Sequence, residues 1–247
     1  MRISLTFNAD KDIILPIQYN HLLQGFLYNS LSDKDYSHFL HHIGYEVNNK
    51  VFRLFTFSRI LGRFRINHAS EKISFQPPVY IVVSSPLEQF ITDLAETLIK
   101  SDTLFLGQNI LEIASISVHR DVSFTDTMQI KMLSPMVAYS TVMIDGKKRT
   151  EYSSPWTSRF TEIARQNLLS KYQILYGELP QNQEFKIIPN GNQEHKFKIV
   201  ANYKGTIIEG YNGIYWLKGN PELIRVAYET GLGSKNAQGF GCWEVVG

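Results

Sequence analysis

The sequence predicts an α+β protein of two tandem β-α-β-β-α-β units, residues 1–120 and 121–247. Three observations carry this. Strand-like alternation and helix-like spacing follow one another in the same order twice along the chain. A length of 247 residues accommodates two domains of about 120 residues each. A hydrophobic fraction of 43%, with 13% aromatic residues, supplies two packed cores.

The first unit opens with RISLTFN (2–8), which alternates as a strand. Residues 16–31 repeat apolar side chains at helical spacing, and 32–44 form a second helix with Ser32 and Asp35 at its start and Gly44 as its C-cap. Residues 50–58 and 72–84 are strands. Residues 86–100 make an amphipathic helix with Pro86 at its start, and 111–120 close the unit as a strand. In the second unit, strands 127–133 and 136–144 flank the turn Ser134-Pro135, and 155–172 form a helix. Strands follow in EFKII, HKFKIVANYK and YWLKG, then a helix over 220–231 capped by Asn220 with Pro221 in its first turn, then a last strand in FGCWEVV. This is the ferredoxin-like (RRM-like) order twice over. The link falls near 118–126, with no Pro/Gly/Ser-rich marker and no low-complexity tract. The fold alone hosts many functions.

Composition excludes several classes. The net charge of +2 makes any basic footprint a local one. The single cysteine, Cys242, rules out an intrachain disulfide and fits a cytoplasmic protein. The N-terminus has no signal-like apolar run, and no stretch approaches the roughly 18 apolar residues of a membrane span.

The segment GLGSKNAQGFGCWEVVG (231–247) places Gly231, Gly233, Gly239 and Gly241 within eleven residues, with Lys235 and Asn236 between them. Glycine admits positive φ and lets another backbone come close. A nucleotide phosphate fails on context. Dinucleotide and P-loop glycines follow a strand and open a helix, whereas these follow a helix and precede a strand. The pattern fits a purely structural turn as well as a ligand loop.

Helical faces locate polar chemistry in the first unit. On 16–31 the apolar face is Leu22, Leu23, Phe26, Leu27 and Leu31, and Tyr28 lies about 150° from its centre. On 32–44 it is Tyr36, Phe39, Leu40 and Ile43, with His41 well away and His38 opposite. These off-face side chains are not core residues by pattern. His41 and His42 sit in the last turn, where the helix dipole favours imidazolium. A histidine titrating near neutrality can take and give protons, although one at a helix C-terminus is also a common stabilising choice. Zinc at His38, His41 and His42 is the weaker reading, because no carboxylate or cysteine completes a ligand spacing.

QYNHLLQGFLYNSL (18–31), FLHHIG (39–44), FRLFTFS (52–58), MLSPMVAY (132–139), NLLSKY (167–172) and AYETGLGSKNAQGFGCWEV (227–245) together resemble the CRISPR repeat-RNA processing endoribonuclease family. That family belongs to the repeat-associated mysterious protein superfamily, marked by a C-terminal glycine-rich loop. The resemblance implies two ferredoxin-like modules and cleavage of CRISPR precursor RNA within its repeats, with no metal or other cofactor. It places a catalytic tyrosine on Tyr28 and a catalytic histidine on His41, with His42 as fallback. The usual lysine position before the F-T-[FY]-S strand holds Arg53, and Lys50 lies three residues earlier. Arginine neutralises charge but is a poor proton donor. RNA carries its own nucleophile, the 2′-hydroxyl. His41 as base or acid, Tyr28 as its partner, and Arg53 or Lys50 as electrostatic stabiliser would leave a 2′,3′-cyclic phosphate and a 5′-hydroxyl.

The resemblance also sets the glycine loop, with Lys235 and Asn236, against an RNA backbone. The loop equally fits close packing of the two modules. Arg59, with Arg63 and Arg65, follows the FTFS strand. Lys147, Lys148 and Arg149 sit at the turn after strand 136–144, and Arg159 and Arg165 on the next helix. Singly these are solvated charges; as a set they are candidates for an RNA track. The competing reading is a non-catalytic subunit that holds repeat or guide RNA in an effector complex, and a third is an unrelated ferredoxin-like protein. The pattern admits a homodimer through helix 16–31 or its neighbour without requiring one.

Overall fold

The computed structural model describes residues 1–192 and 194–246. In the first half, strand Arg2–Asn8 is central and runs antiparallel to both Lys72–Ser84 and Asn109–Val118. Short strands Thr56–Phe57 and Leu61–Asn67 pair with the other side of Lys72–Ser84. That is the 4-1-3-2 strand order of a ferredoxin-like unit. In the second half Phe185–Pro189, Ile214–Gly219, Thr127–Met132 and Trp243–Val245 lie side by side, the same order in mirror listing.

Each sheet buries one apolar face against two helices. Leu23, Phe26 and Leu27 of helix Asn20–Asn29 and Phe90, Ile91, Leu94 and Leu98 of helix Glu88–Lys100 meet Ile3, Leu5 and Phe7. Phe160, Ala164 and Leu168 of helix Ser158–Tyr176 and Leu223, Val226 and Ala227 of helix Pro221–Thr230 meet Ile130, Leu217 and Trp243. Asn220 caps the last helix, its Oδ1 accepting from the Glu222 N–H at 2.9 Å, with Pro221 at the helix start.

Several boundaries differ from the sequence expectation. Residues 13–16 form a strand, so the first helix begins at Asn20 rather than 16. The second helix is a five-residue turn, Lys34–His38, capped by Asp33 rather than Ser32, that widens into a π-helical turn over Phe39–Ile43. Strand 50–58 is broken at Leu54, whose φ is +54°, into Lys50–Phe52 and Thr56–Phe57. Lys147, Lys148 and Arg149 lie on a strand, Lys147–Tyr152, and the turn before it is Asp145-Gly146. Residues 194–197 are helical, and the strand there begins at Lys198.

The glycine segment lies between the halves. Gly241 has φ +79°, and a Cβ on it would stand 2.1 Å from the Leu232 carbonyl oxygen. Gly233 has φ +70°, and its Cβ would meet the Val137 carbonyl oxygen at 2.3 Å. Real carbon–oxygen contacts do not reach these distances, so the loop is built to bring backbone onto backbone. Around it, Thr56 Oγ1 donates to the Phe240 carbonyl at 3.0 Å and Ser134 Oγ to the Phe57 carbonyl at 3.0 Å. The FTFS, MLSP and glycine segments thus converge in one seam.

Candidate active site

Along this seam opens a cleft of about 1030 Å³, lined from the first half by Tyr28, His41, Lys50 and Arg53 and from the second by Arg159, Asn167, Ser234 and Lys235. Tyr28 is only 5% exposed, which corrects its placement off the core. The apolar stripe of helix Asn20–Asn29 faces its own sheet. Asn20, Gln24 and Tyr28, at i, i+4 and i+8, face the other half. Asn20 Nδ2 donates to the Gln238 carbonyl at 2.9 Å and Gln24 Nε2 to the Ala237 carbonyl at 2.6 Å. A helix wheel scores one apolar stripe and misses a polar one used for docking.

The π-helical turn places the His41 ring edge-on to Tyr28, centroids 4.9 Å apart, while Phe55 packs against Tyr28 at 5.6 Å. The turn is pinned. Arg53 Nε donates to the Leu40 carbonyl and Nη2 to the His41 carbonyl, both at 3.1 Å. Arg53 therefore straps the histidine segment to the strand and sets its charge beside the tyrosine. Burial raises the Tyr28 pKa well above the ordinary phenol value, with Arg53 pulling the other way. Tyr28 is therefore a neutral hydroxyl at neutral pH. Partial burial, then the positive neighbours His42, Lys204, Arg53 and His38, lower the His41 pKa below 6.5. His41 Nδ1 lies 3.1 Å from His42 Nε2. Lys50 is exposed at the cleft wall, on a hairpin closed by Asn48 and Asn49.

The other candidate residues separate into two groups. Arg159 is exposed in the cleft, and half-buried Lys235 sits with Nζ 5.0 Å from the Tyr139 ring centroid. Asn236 is inside the loop: its Nδ2 donates to the carbonyls of Leu232 and Phe240, each at 3.0 Å. Arg59 is largely enclosed, donating to Asn20 Oδ1 and packed near Tyr19 and Phe240. Gly231, Gly239 and Gly241 lie in the seam behind the cleft, and Lys147, Lys148 and Arg149 on the exposed hairpin beyond it.

The helical pattern gives no sign of one further buried cation at the back of the cleft. Lys171, within the NLLSKY segment, is buried under the glycine loop, where Nζ donates to the Gly231 carbonyl at 2.7 Å and to Asn236 Oδ1 at 2.6 Å. No carboxylate answers it among the described residues, and burial lowers its pKa to about 7. Between about 7 and the ordinary 10.5 the unfolded chain holds a proton that the folded chain has released. Stability then rises with pH across that window. Thermal melts of the wild type and of Lys171→Met at several pH values should show a wild-type Tm that climbs relative to the variant from neutral to mildly alkaline pH. Parallel curves would show that Lys171 keeps its ordinary pKa.

Residues 14–116 match the family model described as CRISPR-associated protein Cas6, N-terminal, and residues 118–245 that of CRISPR associated protein Cas6, C-terminal. A relative from Methanocaldococcus jannaschii named CRISPR-associated endoribonuclease Cas6 1 is 24% identical over 98% of this chain and 91% of its own length. CRISPR-associated endoribonuclease Cas6 of Pyrococcus furiosus is 27% identical over 96% and 87%. A solved structure of a Cas6-related protein from Pyrococcus furiosus superposes with a TM-score of 0.85 at 22% identity, covering 100% of this chain and 98% of that one. A RAMP protein described as binding different RNA substrates gives 0.83 at 23%, covering 100% of both. At these identities the structures establish the shared architecture of two ferredoxin-like units. With both family models matched in order across nearly the whole sequence, this chain belongs to the CRISPR-associated Cas6 family.

Proposed function

We propose that this chain is an endoribonuclease that cuts CRISPR precursor RNA within its repeats by attack of the 2′-hydroxyl, with no metal ion in the reaction. The observation that carries the reading is the edge-on pair of Tyr28 and His41 at the wall of a cleft with cationic side chains from both halves. The two family models and relatives named as endoribonucleases support it.

His41, neutral near pH 7, accepts the 2′-hydroxyl proton as that oxygen attacks the adjacent phosphorus. Tyr28 donates a hydrogen bond to a phosphoryl oxygen and orients it. Arg53 and Lys50 offset the charge that gathers on the non-bridging oxygens. The bond to the 5′-oxygen breaks, and that oxygen takes a proton from water. The products are a 2′,3′-cyclic phosphate and a 5′-hydroxyl. Lys235 and Arg159 bind flanking phosphates, while Lys147, Lys148 and Arg149 extend the track. The glycines hold the loop that presents Lys235.

A cleavage gel with end-labelled repeat RNA in EDTA tests this. One discrete cut with a cyclic phosphate end supports the proposal. A requirement for added metal removes the mechanism. Binding without any cut makes the chain an RNA-holding subunit of an effector complex, a reading that Arg53's engagement with two backbone carbonyls favours. The pH profile adds a sign. With His41 as base, the single-turnover rate rises with pH to a plateau whose midpoint lies below 6.5, the side to which its pKa is displaced. A rate that falls across that range would make His41 the acid.

A further inference from the structure

A second cavity of about 310 Å³ opens on the other side of His41. It shares Gln24, Tyr28, His41 and Lys204 with the cleft and is completed by Lys34, His38 and His42 among others. No carboxylate lines it. Lys204 comes from the second half, at the tip of the hairpin formed by Lys198–Tyr203 and Thr206–Tyr211. That tip is docked on the first half. The Tyr203 hydroxyl bonds Gln24 Oε1, the Asn202 N–H donates to Gln18 Oε1 at 3.1 Å, and the Tyr203 ring meets His21 edge-on at 6.5 Å. Asn202 Oδ1 accepts the Gly205 N–H at 2.8 Å and fixes the turn. The Lys204 ammonium therefore hangs from an anchored support.

Its surroundings are one-sided. His38 and His42 stack with centroids 4.5 Å apart, and His42 continues to His41 at 4.3 Å. Lys34 Nζ is engaged with the Leu31 carbonyl at 2.7 Å and the Asn29 carbonyl at 3.3 Å. Lys204 has neither a hydrogen-bonded side-chain partner nor an ion pair among the described residues. A concave polar site that gathers cations and titratable rings with no counter-charge is complementary to an anion. Arg53 lines the main cleft and not this cavity, so its charge serves the former.

We propose that Lys204, with His38 and His42, forms a phosphodiester-binding subsite beyond His41, holding a linkage of the RNA that flanks the one being cut. The inference rests on the RNA-cleavage reading above. It gives the second half a direct part in holding RNA at the catalytic residues.

The test uses the full chain and a repeat RNA with a single 2′-deoxy residue at the cut, which binds without reacting. Kd is measured against KCl concentration for the wild type, Lys204→Gln and Lys204→Arg. The glutamine keeps most of the stem and removes the charge at an exposed turn, and a melt checks that it folds. Lys204→Gln should weaken binding and flatten the slope of log Kd against log [KCl] by about 0.7, the value for one phosphate contact on a single strand. Lys204→Arg should restore both. In RNAs with a neutral methylphosphonate at individual linkages around the cut, the Lys204→Gln penalty should vanish for one linkage. An unchanged slope, or an equal penalty on every RNA, overturns the subsite while a wild type that binds and cuts leaves the cleavage reading intact. A wild type that binds no repeat RNA overturns both.

Discussion

Replacing His41 with alanine should lower the single-turnover cleavage rate by ~10²–10⁴-fold, the range for loss of one general acid–base group, and leave RNA affinity nearly unchanged. The separation follows from the geometry. His41 is exposed, so its removal leaves no cavity in the core. Arg53 grips the His41 carbonyl rather than the ring, so the π-helical turn stays strapped. Tyr28 loses an edge contact and keeps Phe55. Such a rate loss corresponds to about 3–5 kcal/mol of barrier, far more than a surface substitution costs the fold. The rate is read at saturating protein, and Kd with the 2′-deoxy RNA. His42→Ala serves as comparison, because His42 meets His41 at Nδ1 and makes no contact with the Tyr28 ring, and it should cost less. Equal rates for wild type and His41→Ala would remove His41 from the chemistry. A parallel loss of Kd and rate would make it a binding residue.

The sequence made the order of elements legible because each module buries its own apolar face. Period-two runs such as RISLTFN and 3.6-period runs such as PLEQFITDLAETLIK record that burial directly. Helix 220–231 was legible almost to the residue because its cap and first-turn proline are local signals. What the pattern could not carry is contact between segments far apart along the chain. Tyr28 looked solvent-facing because its partners, His41, Phe55 and the docked hairpin, come from elsewhere in the chain. Nothing local to NLLSKY announces that a glycine loop covers Lys171. The broken strand at Leu54 and the short hairpin at Asn48-Asn49 are governed by positive φ at residues other than glycine, which composition does not advertise. The bringing together of FTFS, MLSP, NLLSKY and the glycine loop is a tertiary fact about which the spacing along the chain is silent.

The seam itself yields the second large effect. Gly241→Ala should lower stability by ~2–5 kcal/mol, combining the left-handed conformation forced on alanine with the overlap it creates. In a chain of this size that is a Tm drop of about 5–15 °C. The φ is +79°, and the added carbon would meet the Leu232 carbonyl at 2.1 Å, Asn236 Nδ2 at 2.6 Å and the Leu232 nitrogen at 2.9 Å. None of these can swing aside. Leu232 N–H donates to the Gly241 carbonyl at 2.9 Å and Gly241 N–H to the Pro135 carbonyl at 2.9 Å. Asn236 is held by the buried Lys171 Nζ. Gly146 supplies the control: its φ is +72°, but it lies in an open hairpin turn with nothing within 4 Å of an added Cβ. Gly146→Ala should cost only the backbone part, about 1–2 kcal/mol. The difference between the two melts isolates the contact across the seam. Because the same loop carries Ser234 and Lys235 into the cleft, the Gly241 variant, assayed well below its Tm, should also bind repeat RNA more weakly than Gly146→Ala. Equal melts for the two variants would mean that the loop yields, and that backbone packing is not what its glycines are for.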